Sequence, residues 1–73
     1  MTVAQLRRAG WTVTKAGRSF YVLKTPKGEA IEIDYSSEQP GSDKWIVDLI
    51  DRRDGYATRT LSDALETVAE TIR

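Results

Sequence analysis

The sequence predicts an α+β domain: an antiparallel sheet of four to five strands flanked by N- and C-terminal helices, in the order α-β-β-β-β-(β)-α. Three observations lead there. The chain closes on an apolar stripe at spacings of three and four: Leu61, Ala64, Leu65, Val68, Ala69 and Ile72. Residues 30–35 and 44–51 alternate at period two, as half-buried strands do. Thr25-Pro26-Lys27-Gly28 and Arg52-Arg53-Asp54-Gly55 have the composition of tight turns.

Each element has its own local reason. Thr2-Val3-Ala4-Gln5 fits a capping box, with the Thr side chain on the third helical N–H and the Gln reaching back. Val3 and Leu6 share a face of the short helix that follows, and Gly10 stands where a left-handed C-terminal cap belongs. So short a helix is marginal alone and must dock. Residues 11–14 alternate as a strand, 15–18 turn, and 19–24 form a second strand that is apolar on both faces. Pro second and Gly fourth in residues 25–28 favour a β-turn. In residues 30–35, Ile31, Ile33 and Tyr35 point inward and Glu32 and Asp34 outward. Residues 36–43 hold only loop formers and make the longest, most mobile connection. Residues 44–51 form a strand, 52–55 a turn, and 56–59 a short polar strand at the sheet edge. Thr60 opens the last helix as a second capping box, with Asp63 in the place of Glu.

Length and composition narrow the function. With 73 residues the chain makes a single domain, 1–73, whose one small core supplies roughly 3–5 kcal/mol. It has no Cys, which removes disulfides and thiolate chemistry, and no His, which removes imidazole acid–base catalysis. No apolar run approaches the roughly 20 residues of a membrane span, and residues 1–8 lack the pattern of a secretion signal. A cytoplasmic protein is expected, with no membrane partner, no cofactor and no small-molecule substrate. The net charge is zero but unevenly spread. Residues 1–27 carry six basic side chains and no acid, and residues 28–73 carry eleven acids against five bases. Either the halves neutralise each other across the fold or they form two patches of opposite sign.

Leu6-Arg7-Arg8-Ala9-Gly10-Trp11-Thr12-Val13, followed by Gly17-Arg18-Ser19-Phe20-Tyr21-Val22, resembles the opening of HicA-type toxins. The length and element order are similar to the αβββα fold of double-stranded-RNA-binding-type domains. The resemblance spans residues 3–33, and that family cleaves RNA with a catalytic His. The family's catalytic His follows a Gly-Ser pair, whereas this chain reads Arg18-Ser19-Phe20, so the nuclease activity is not implied. Double-stranded-RNA-binding domains also open their last helix with lysines that grip phosphates. Here that stretch is Thr60-Leu61-Ser62-Asp63, on a helix whose outer face is acidic.

Four constellations are candidates for function. Glu32, Asp34 and Asp48 fall on outward strand positions where carboxylates could hold Mg²⁺, although Glu-x-Asp alternation is also how any solvated strand reads. Arg7, Arg8, Lys15, Arg18 and Lys24, near Phe20 and Tyr21, have the composition of a single-strand nucleic-acid surface, or of a solvated rim. Arg52 and Arg53 at a hairpin tip could grip a carboxylate or phosphate, or simply be solvated. The fourth is the sheet itself. If Phe20, Val22, Ile31, Ile33, Trp45, Val47 and Leu49 pack beneath the helices, Tyr21, Leu23, Ile46 and Ile50 form an apolar patch on the far face.

The expected function is therefore a small non-catalytic protein–protein interaction module, a regulator or inhibitor of the phage or mobile-element kind, using that patch for a partner or for self-association. The alternative is a nucleic-acid-binding module built on the basic N-terminal third. No catalytic and no metal-binding residue is expected.

Overall fold

The computed structural model describes residues 1–72. Its order is α1 (Val3–Arg8), β1 (Thr12–Gly17), β2 (Phe20–Lys24), β3 (Ala30–Tyr35), β4 (Trp45–Leu49), a 3-10 turn (Ile50–Arg52), β5 (Asp54–Thr58) and α2 (Leu61–Thr71). The strands form one antiparallel sheet in the order β1-β2-β3-β4-β5, each paired with its neighbour in sequence.

The expected capping box of α1 is present: Gln5 N–H donates to the Thr2 hydroxyl and the Thr2 N–H to Gln5 Oε1. The helix ends in a Schellman motif. Trp11 N–H donates to Leu6 O and Gly10 N–H to Arg7 O, each at 3.0 Å. Gly10 has φ +96°, a left-handed conformation that costs glycine nothing. The motif turns Trp11 back onto Leu6, so both are buried in the core. Thr60 caps α2 through Asp63 N–H at 3.0 Å, but Asp63 does not return the bond. Its side chain is one methylene shorter than the Glu of a full box.

The connection between β2 and β3 fixes which residues are inside. Thr25 N–H donates to Glu29 O, leaving three residues, Pro26 to Gly28, in the loop. That spacing sets Leu23 opposite Ile31 and Tyr21 opposite Ile33. Directly opposed residues share a face, so the odd-numbered residues of both strands point the same way. A loop one residue longer or shorter would exchange the faces.

The odd face is the core. Val13, Leu23, Ile31, Ile33, Val47 and Leu49 pack with Leu6 and Trp11 and with Ala64, Leu65 and Val68 of α2. Tyr21, Trp45 and Tyr56 pack around this cluster. Both helices therefore lie on one side, α1 against β1 and α2 against β4 and β5. Their N-termini meet where the Met1 ammonium lies 3.8 Å from Glu66 and Ser62 donates to Met1 O.

Three boundaries differ from the sequence expectation. Strand β1 runs on to Gly17, because a register shift between Lys15 and Gly17 absorbs an extra residue and the turn shrinks to Arg18 and Ser19. Strand β4 stops at Leu49, and Ile50–Arg52 coil into a 3-10 turn that Arg53 ends with φ 51°. The expected turn residues Asp54 and Gly55 therefore belong to β5. The loop between β3 and β4 is tied down by Ser36 N–H on Lys44 O and by Lys44 Nζ on the carbonyls of Ser37 and Gln39.

Candidate functional site

No helix covers the even face of β1 to β4, which continues onto Gly55 and Ala57 of β5. Across it run two rows set by the strand register. One is Thr14, Val22, Glu32, Asp48 and Gly55, and the other is Phe20, Asp34, Ile46 and Ala57. Phe20, Val22, Ile46 and Ala57 are half-buried by their neighbours and otherwise open. They form an apolar band interrupted by Glu32, Asp34 and Asp48. Glu32 stands directly opposite Asp48, a like-charge cross-strand pair that destabilises the sheet on its own.

The expected interface of Tyr21, Leu23, Ile46 and Ile50 is corrected by this register. Leu23 is fully buried, at 0% exposure, and Tyr21 packs against the core with Lys15 Nζ 5.9 Å from its ring centroid. Phe20 and Val22, expected inside, take their places on the uncovered face. Ile46 is on that face as expected. Ile50 is 40% exposed but sits in the 3-10 turn at the end of the sheet, away from Ile46. The missed pair was hidden because all of residues 20–23 are apolar, and only the turn length chooses between their two faces.

The basic residues do not converge. Arg7 is committed to the fold, donating from Nη2 to Val13 O at 2.7 Å. Arg8 lies in the last turn of α1, Lys15 on the helix side of β1, Arg18 in the β1–β2 turn and Lys24 on the opposite, uncovered face. Among the described residues none of the five forms an ion pair. Among the described residues one ion pair joins the two halves, Met1 to Glu66.

The two adjacent arginines also part company. Arg52 grips Glu29 through Nε at 2.8 Å and Nη2 at 3.4 Å, while Arg53 bends away in its left-handed conformation. Glu32, Asp34 and Asp48 share the uncovered face, yet among the described residues no three acidic side chains converge to hold a metal ion.

One titration is perturbed. Burial pushes the Tyr56 phenol above its ordinary value, the Thr71 hydroxyl works against this, and the Asp54 carboxylate adds to it. The Tyr56 hydroxyl is shielded from solvent and has no hydrogen-bond partner among the described residues. This group belongs to the underside of α2 and not to the uncovered face.

Two concave regions adjoin the sheet. One of about 550 Å³ is a shallow trough over β4 and β5. The other, of about 260 Å³, lies between Trp11, Pro26, Lys27 and Ile72, with the Glu29–Arg52 pair in its wall. No helix among the described residues is long and apolar enough to cross a membrane. No protein family, curated protein or solved structure matches this chain.

Proposed function

We propose that the chain is a small non-catalytic protein-binding module whose partner docks on the uncovered face of the sheet. The observation that carries this reading is that both helices lie on the opposite face. Phe20, Val22 and Ile46 are thereby left without a covering layer. Uncovered apolar side chains interspersed with polar groups are common at protein interfaces. Glu32, Asp34 and Asp48, set within the band, favour a partner surface bearing Lys or Arg and repel a phosphate backbone. A module lacking imidazole and thiol groups acts by occupying its partner, which is how a small regulator or inhibitor works.

The test is a Phe20→Ser/Ile46→Ser double variant, compared with the unaltered chain in affinity capture from nuclease-treated lysate. Both proteins should melt cooperatively, and a partner held by the unaltered chain should be lost by the variant. Retention of that partner by a folded variant would refute the assignment. Material that disappears on nuclease treatment alone would favour nucleic acid instead.

A further inference from the structure

The two edges of the sheet are finished differently. Antiparallel pairing turns the N–H and C=O groups of alternate residues toward the neighbouring strand and the rest away. On β1 the outward Val13 carbonyl is taken by Arg7, and the register shift at Lys15–Gly17 breaks the edge. Such devices keep an edge from pairing with another chain. Among the described residues β5 carries only one such contact, and it is exposed. The bond from Ser36 N–H to Lys44 O sets the phase of the β3–β4 ladder. Through the register it turns Asp54, Tyr56 and Thr58 toward β4, and Gly55 and Ala57 outward. Gly55 N–H is held only by the exposed Asp54 side chain, at 2.8 Å, a contact that an incoming carbonyl can replace. The same register turns the Gly55 carbonyl and both backbone groups of Ala57 outward, and among the described residues no hydrogen bond takes them.

Beside this edge lies the trough of about 550 Å³, floored by Ile46, Asp48, Gly55 and Ala57. Gln39, from the β3–β4 loop, borders it at one end of the hairpin and Arg53, from the β4–β5 turn, at the other. The trough exists because β5 offers nothing larger than a methyl group on this face. Gly55 is small of necessity, since a Cβ there would come within 2.8 Å of Val47 O. Gly55 lies opposite Asp48, which lies opposite Glu32, and Ala57 lies opposite Ile46.

We infer that the partner contributes an extended segment that adds to β5 as a sixth strand, carrying a Lys or Arg and a large aliphatic residue two positions apart. This rests on the reading of the uncovered face as the partner's site. The added strand would place both side chains on the uncovered face, beside Gly55 and Ala57. With no side chain in the way, each lies across β5 toward β4. Two strand spacings are about 10 Å, within the combined reach of a long basic side chain and a carboxylate. The cation meets Asp48 and so eases its repulsion with Glu32. The aliphatic group lies across Ala57 and covers Ile46. Backbone bonds to the edge supply affinity and the two side chains supply choice.

The test is an NMR titration of the full chain with the capped peptide Thr-Thr-Lys-Thr-Ile-Thr-Thr. Two controls replace the Lys by Glu or carry an N-methyl group on the Ile amide. Amide shifts at Asp48, Gly55 and Ala57 are expected with the Lys peptide. Binding should be roughly tenfold weaker for each control, which loses a charge contact or an edge hydrogen bond. Asp48→Asn, at an exposed position, should fold normally and weaken the Lys peptide about threefold. Equal binding of the Lys and Glu peptides would overturn the basic specificity. Shifts confined to Phe20 and Val22 would overturn strand addition while leaving the open-face reading intact. No shift with any peptide would also overturn strand addition, with the open-face reading then judged separately by the Phe20→Ser/Ile46→Ser capture.

Discussion

Replacing Leu23 and Val22 separately with Ala measures which face of β2 is the core. Leu23 is fully buried between Val13 and Ile31, in a cluster that includes both helices. Its truncation removes apolar contact and leaves a cavity, at a cost of about 3 kcal/mol. A domain of this size has only roughly 3–5 kcal/mol to lose. Val22 lies half-buried on the uncovered face, between Thr14 and Glu32. Its truncation leaves no enclosed cavity and should cost less than about 1 kcal/mol. With a urea dependence of about 1 kcal/mol per molar for a small protein, the Leu23→Ala midpoint should fall by about 3 M and that of Val22→Ala by less than about 1 M. Urea titration followed by fluorescence of Trp11 and Trp45, and in parallel by circular dichroism, reads both. If Val22→Ala were the more damaging, the sheet would face the other way and the proposed interface would be the core.

The helix and the perturbed tyrosine give two more expectations. Leu65, 2% exposed, faces the sheet from α2, so Leu65→Asp should abolish cooperative unfolding, because an unpaired buried charge costs more than this core supplies. A cooperatively melting Leu65→Asp protein would contradict the packing of α2. Tyr56→Phe removes a shielded hydroxyl that has no partner among the described residues, so denaturation should find the variant as stable as the parent, or more stable by up to about 1 kcal/mol. The Tyr56 phenol ionises above its ordinary value of 10.0 in the folded protein. Above that pH the unfolded chain releases this proton first, so the folded state holds more protons and its stability falls as pH rises. The parent should lose stability above about pH 10 relative to Tyr56→Phe, and parallel profiles would show that the phenol is not buried as described.

Much of the architecture is local chemistry that the sequence states outright. The Thr2 box, Gly10, the Pro26–Gly28 turn and the stripe from Leu61 to Ile72 each predict their element, and the structure has both helices and a five-stranded sheet. Residues 30–34 were legible because Ile and acid alternate there, whereas Tyr35, expected inward, is 42% exposed and packs only edge-on against Trp45. Residues 20–23 were not, because an all-apolar run suits either face. The three-residue loop decides between them by setting Leu23 against Ile31, and with that choice Phe20 and Val22 replace Tyr21 and Leu23 on the open side. Ile50 was likewise out of reach, since its alternation continues that of β4 while its backbone has already coiled into the 3-10 turn. The sequence by itself determined the elements and their order, through caps, turns and periodicity that act over a few residues. Tertiary structure alone decided the faces, the placing of both helices on one side and the unfinished β5 edge, because strand register depends on pairings between distant residues.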